Sequence, residues 1–211
     1  MQQTHGVTTQ PTPTSEESVL DLARKRPLLR ARDLAEYALP TVALTRLVAA
    51  GKLERVARGV YSLPGRRLSE HRSLAEACLR VPQGVVCLLS ALRMHDIGTQ
   101  APFEVWIAIP QNAPTPRLDQ PALRVMRMSG PALAEGVEVR RIDGVDVRVF
   151  GAEKTVADCF KFRNKIGLDV ALEALRDGWS RGLLSMDALT WHATTDRVAN
   201  VMRPYLESVV A

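Results

Sequence analysis

Residues 32–64 read RDLAEYALPTVALTRLVAAGKLERVARGVYSLP, and this stretch decides the architecture. Ala31 to Ala38 is predicted as a short helix with Leu34, Ala35 and Ala38 facing inward. Leu39-Pro40 makes a tight turn, and proline suits the first position of the helix that follows. From Thr41 to Ala50 the apolar residues Leu44, Leu47 and Val48 recur at spacings of three and four, one face of a helix, and Gly51 stops it. Leu53–Val56 and Val60–Leu63 are β-prone and flank Ala57-Arg58-Gly59, the pattern of a hairpin. Upstream, Thr14 and Glu17 have capping-box spacing. They open a helix carrying Val19, Leu20, Leu22 and Ala23, which Arg24-Lys25-Arg26 and Pro27 bring to an end. Three helices, a tight turn between the second and third, and a hairpin make a winged helix-turn-helix.

Beyond Pro64-Gly65-Arg66-Arg67, which reads as a linker, the pattern changes. Leu68 to Val81 is helical, and Val85 to His95 reads as a buried helix in which Val85-Val86 could begin as a strand. Glu104–Pro110 and Leu123–Met128 are strands. Val137–Ile142 and Val145–Phe150 flank Asp143-Gly144, the strongest short hairpin signal. Helical patterns then run over Thr155–Arg163, Leu168–Trp179, Met186–Thr194 and about Val198–Val209. The expected fold class is α+β: an N-terminal winged helix-turn-helix followed by a mixed domain with a small antiparallel sheet flanked by helices. Residues 1–14, rich in Thr, Gln and Pro, are expected to be a disordered tail. The two domains are expected over 15–64 and 68–211.

The chain has 211 residues, room for one large or two small domains. With 46% apolar and 24% charged residues, wholesale disorder is excluded. The longest strongly apolar run, Val85 to Leu92, falls well short of the roughly 20 residues of a membrane-spanning helix. Three cysteines without a CxxC pair argue against a disulfide framework. Met1 to Ser15 lacks the basic start and apolar segment of a secretion signal, so a soluble, cytoplasmic protein is expected. The net charge of +5 lies entirely within residues 1–67, where eleven Lys/Arg face six Asp/Glu; the remainder is balanced. Such asymmetry suits a polyanion-binding module joined to a neutral one, or simply a soluble surface.

In a winged helix-turn-helix the second helix of the motif enters the DNA major groove and the wing reaches the backbone. Here that helix is expected to expose Thr41, Val42, Thr45, Arg46 and Ala49. Arg46 can pair with guanine O6/N7, Thr45 can bond a base or phosphate, and Val42 can touch a thymine methyl. Arg30 and Arg32 would face phosphates, with Arg55 and Arg58 on the hairpin. Solvated arginines and a protein-binding winged helix are the competing readings.

Catalytic patterns are weak. His5, His71, His95 and His192 are scattered without metal-ligand spacing, and no GxSxG nucleophile elbow occurs. Gly151-Ala152-Glu153-Lys154-Thr155 lacks the glycines of a phosphate loop. Asp143, Asp146, Glu153 and Lys154 could suggest a metal-dependent nuclease, but the adjacent Glu and Lys point to opposite faces. No enzyme activity, cofactor or metal is expected. The stretch 153–176, EKTVADCFKFRNKIGLDVALEALR, mixes charges among apolar positions. It reads as an amphipathic helix pair with a solvated polar face and internal ion pairs worth tenths of a kcal/mol each, or as a charged partner surface.

Taken together, these segments resemble the AbiEi family of antitoxins from type IV toxin–antitoxin systems. The resembling residues are the quoted 32–64 stretch, then VVCLLSALRMHDIGTQ (85–100), FEVWIAIP (103–110), AEKTVADCFKFRNKIGLDVALEALRD (152–177) and RPYLE (203–207). The resemblance implies an N-terminal winged helix that represses its own operon by binding double-stranded DNA repeats in the promoter. It implies a C-terminal domain that counters a cognate nucleotidyltransferase-like AbiEii toxin, with direct contact left open, and no membrane partner. Thr41, Thr45, Arg46, Arg55 and Arg58 carry over as DNA contacts. Lys154, Asp158, Arg163 and Asn164 stand in the C-terminal motif without an assigned role. Family members often have Gly-Ile-Pro at the turn where this chain has Ala38-Leu39-Pro40. A stand-alone winged-helix regulator, or a module that holds the toxin directly, are the alternatives.

Overall fold

The computed structural model describes residues 14–66 and 69–210, so the tail expected over 1–14 lies outside the described residues but for Thr14. The chain divides into two compact units, residues 1–67 and 68–211.

In the first unit, α1 (Ser15–Lys25) begins at the expected capping box. The Thr14 amide donates to Glu17 Oε2 at 2.8 Å and the Glu17 amide donates to Thr14 Oγ1 at 3.3 Å, so two orphan donors are satisfied reciprocally. A two-residue strand β1 (Leu29–Arg30), a 3₁₀ segment (Ala31–Tyr37), α2 (Val42–Ala49) and the hairpin β2 (Glu54–Ala57) and β3 (Val60–Ser62) follow. β3 lies between β1 and β2, antiparallel to both. Val19, Leu22, Ala23, Leu29, Leu34, Ala43, Leu44, Leu47 and Leu53 form the core of this unit.

The segment after β1 is a 3₁₀ helix, not the α-helix expected, and only Leu34 of its apolar residues is buried; Ala35 and Ala38 are exposed. The cause is local. Asp33 accepts the Arg30 amide at 2.9 Å and the Arg30 Nε–H at 2.7 Å, which winds the first turn tightly. With one buried apolar residue there is no 3.6-residue stripe to favour the wider helix. The segment ends at Ala38, which takes the left-handed conformation (φ 52°, ψ 30°) that costs a Cβ-bearing residue about 1–2 kcal/mol. This is the position where the turn would usually carry glycine. Ala38→Gly is therefore expected to raise the stability of the first unit by about 1 kcal/mol, part of the relief being lost to a more flexible unfolded chain. An unchanged or lower denaturation midpoint would contradict that account.

The second unit contains α3 (Arg72–Arg80), β4 (Val85–Val86), α4 (Leu88–Met94), β5 (Val105–Pro110), β6 (Leu123–Met128), α5 (Pro131–Ala134), β7 (Val137–Ile142) and β8 (Val145–Phe150). Then come α6 (Ala152–Lys161), α7 (Arg163–Ile166), α8 (Leu168–Ser180), α9 (Met186–Thr195) and α10 (Ala199–Val210). The fold is α+β, with a five-stranded sheet of order β6-β5-β4-β8-β7. That sheet is mixed, where an antiparallel one was expected: β5 pairs with β6, and β4 with β8, in parallel. The chain between β5 and β6 returns along the strand before pairing, so the two run the same way. Of the 85–95 stretch, Val85-Val86 is a strand pairing with β5 and only Leu88–Met94 is helical. The β7–β8 hairpin closes on Asp143 (φ 47°) and Gly144 (φ 77°), the paired positive φ angles of a two-residue turn.

α6 packs against α4, α8 and α9, and every residue from Lys154 to Phe160 is buried. A helix enclosed on all sides gains burial from each residue, but it must also pair any charge it carries.

Candidate nucleic-acid interface and buried ionic cluster

α2 buries Ala43, Leu44 and Leu47 and leaves Thr41, Val42, Thr45, Arg46 and Ala49 exposed. From Val42 to Ala49 these exposed residues are spaced i, i+3, i+4 and i+7, so they form one stripe along the helix. Val42 on that stripe is 50% exposed, an apolar side chain in water.

The wing presents Arg55 and Arg58, both exposed. Its tip is fixed: the Ala31 amide donates to the Gly59 carbonyl at 2.9 Å, and Gly59 takes a positive φ of 74° beside Arg58. Arg32 is exposed on the 3₁₀ segment. The Arg30 guanidinium is partly buried, with Nη2 2.6 Å from Asp33 Oδ1. Arg26 reaches the same carboxylate at 3.8 Å.

The C-terminal motif residues separate. Lys154 and Asp158 come together, whereas Arg163 donates to the Phe160 carbonyl at 2.9 Å and Asn164 is exposed. The expected solvated polar face is corrected here, because Lys154 and Asp158 are fully buried. Lys154 Nζ donates to Asp158 Oδ1 at 2.6 Å and to Asp196 Oδ2 at 2.9 Å, and Lys161 Nζ donates to Asp196 Oδ1 at 3.0 Å. The Phe150 ring lies 4.8 Å from Lys154 Nζ. Sequence reasoning missed Lys161 and Asp196. Lys154, Asp158 and Lys161 at i, i+4 and i+7 do mark a polar stripe on α6, but Asp196 comes from α9 and has no local signature.

Asp158 Oδ2 and His192 Nδ1 are buried without a hydrogen-bond partner among the described residues. Burial pushes the Asp158 carboxyl up to about 7, against the attraction of Lys154 and with the repulsion of Asp196. Burial, and then the Lys154 charge, lower His192. Asp158 thus holds its proton more tightly folded than unfolded, where its ordinary value is 3.8. Between those two values the folded state binds more protons, so this group's contribution to stability falls as pH rises through the interval. His192 acts in the opposite direction. Asp158→Asn isolates the carboxyl: its stability relative to the wild type is expected to improve from about pH 5 to about pH 8. A difference that stays flat across that range would remove the assignment.

The acidic residues of the β7–β8 hairpin and of the start of α6 have partners within the fold. Asp143 accepts from the Ser69 amide at 3.1 Å, Asp146 pairs with Arg141 at 3.3 Å, and Glu153 accepts from the Ser185 amide at 3.1 Å. His95 sits at the end of α4 with Nε2 2.7 Å from the Phe150 carbonyl. His5 lies outside the described residues. Among the described residues no group of three or more His, Cys, Asp or Glu side chains is placed to hold a metal, and no helix is long and apolar enough to cross a membrane.

A 3₁₀–turn–helix followed by a hairpin, with an exposed stripe on the helix and arginines on the wing, defines the first unit as a winged-helix domain. Residues 17–64 match the family described as "Transcriptional regulator, AbiEi antitoxin". Among solved structures, the whole chain is similar to the RV2827C protein from Mycobacterium tuberculosis. That likeness has a TM-score of 0.57 at 14% identity and covers 94% of this chain and 83% of the other, so it establishes a shared fold. No curated protein matches the chain.

Proposed function

We propose that this protein is a non-enzymatic, cytoplasmic antitoxin that also represses its own promoter, binding double-stranded DNA repeats there through its winged helix. The reading rests on the stripe Val42, Thr45, Arg46 and Ala49 exposed along α2. α2 enters the major groove with Thr41, Thr45 and Arg46 toward base edges and phosphates. Arg55 and Arg58 on the wing, with Arg32 and Arg30, neutralise backbone phosphates, Arg30 while also pairing with Asp33. Repression follows from occlusion of the promoter. The AbiEi match over residues 17–64 supports an antitoxin role, which the C-terminal unit exerts against a nucleotidyltransferase-like toxin.

The two classes of contact respond differently to salt. Each phosphate neutralised contributes about −0.9 to the slope of log K against log salt. Arg58→Ala is expected to weaken binding to operator and random DNA alike and to make the slope shallower by about 1. Fluorescence anisotropy titrations of the full chain at several salt concentrations measure both. An unchanged slope would remove Arg58 from the DNA interface. Rescue of growth on co-expression with a nucleotidyltransferase-like toxin tests the antitoxin half, and growth arrest that persists would remove it.

A further inference from the structure

β7 is the last strand of the five-stranded sheet, paired to β8 along its whole length on one side and to no strand among the described residues on the other. Four consecutive residues, Glu138 to Arg141, are exposed, and Val139 is 64% exposed. The hairpin fixes which backbone groups are open. A two-residue turn is flanked by a pair that exchanges both hydrogen bonds, here Ile142 and Val145. By alternation, Ile142, Arg140 and Glu138 turn their N–H and C=O groups toward β8. Arg141, Val139 and Val137 turn theirs outward, away from β8.

We propose that a second copy of this chain pairs with β7 in antiparallel fashion, about a two-fold axis through Val139. An antiparallel self-pairing opposes outward-facing groups to one another only if the axis passes through a residue. An axis between two residues sets an outward-facing residue against an inward-facing one, and the ladder cannot form. An axis through Arg140 opposes that arginine to itself, and one through Glu138 does the same for the carboxylate, both destabilising arrangements. An axis through Val139 opposes valine to valine and Glu138 to the second copy's Arg140, twice by symmetry. It also lets both Val139 residues exchange their hydrogen bonds. Within one chain Glu138 Oε2 and Arg140 Nη2 already lie 3.1 Å apart on one face of the strand, where the cross-strand pairs would form. Charges on an open edge discourage pairing with unrelated strands; here one register matches them. The result is a continuous ten-stranded sheet across the dimer, with two winged-helix units per assembly.

A charge-swap cycle on the full chain tests this by sedimentation equilibrium, with circular dichroism to confirm folding. The wild type is expected to associate reversibly into dimers. Glu138→Arg and Arg140→Glu should each weaken association roughly tenfold or more, and the double swap should restore it. Val139→Cys supplies an independent readout. The three native cysteines are all buried, so the new thiol is the exposed one. The two-fold places its Cα about 5.5 Å from its mate, within disulfide range. Mild oxidation should cross-link this variant as a dimer. A wild type that stays monomeric at every concentration, swaps that leave association unchanged, a double swap no better than either single one, or a Val139→Cys variant that fails to cross-link would each overturn the proposal.

Discussion

Lys154→Ala is expected to destabilise the second unit by about 3–5 kcal/mol, the cost of breaking a buried ion pair by removing one partner. Lys154 is wholly buried and donates to two buried carboxylates. Without it Asp158 and Asp196 face each other with Lys161, which pairs with Asp196. The loss also forfeits the packing of the lysine stem and its cationic contact with the Phe150 ring. The readout is clean, because Trp106, Trp179 and Trp191, all three tryptophans, lie in the second unit. Urea unfolding followed by tryptophan fluorescence therefore reports that unit. Replacing Lys154, Asp158 and Asp196 together by apolar residues of similar volume should cost less than Lys154→Ala, since no fully buried charge is left unpaired and Lys161, 29% exposed, can turn to solvent. A single variant within about 1 kcal/mol of the wild type would contradict the cluster's role in holding α6 to α9.

Arg46→Ala has the second large effect, on binding specificity. A bidentate arginine–guanine pair discriminates against a wrong base by about 1–3 kcal/mol, roughly tenfold to a hundredfold in affinity. Arg46 is exposed in the middle of the α2 stripe, flanked by Thr45 and Val42, and its loss removes nothing from the core. Binding to operator DNA should fall while binding to random DNA falls only by the share of one positive charge. The thermal midpoint should not move. Equal losses on both DNAs would reassign Arg46 to the phosphate backbone, alongside Arg58.

What was legible in the sequence was local. The capping box at Thr14 and Glu17, the Asp143-Gly144 hairpin and the exposed stripe of α2 each rest on residues at most seven apart. A short-range pattern and its physical cause then coincide. The misreadings involve distance or strain. Ala31–Tyr37 has helix-forming residues, but the Arg30–Asp33 clamp and the single buried leucine decide for a 3₁₀ segment. The parallel pairing of β5 with β6 depends on the path of the connecting chain, which strand periodicity does not contain. Lys154 and Asp158 read as ordinary members of a solvated face, because their burial requires Asp196, 42 residues beyond Lys154.

The most direct test of the account is a competition titration of the full chain on the DNA immediately upstream of its gene, with excess random duplex, at near-physiological salt. The wild type is expected to form a specific complex that survives the competitor, and Arg46→Ala is expected to lose that complex while still binding DNA weakly. A wild type that binds the upstream and random duplexes equally, or neither, would contradict sequence-specific recognition by the winged helix.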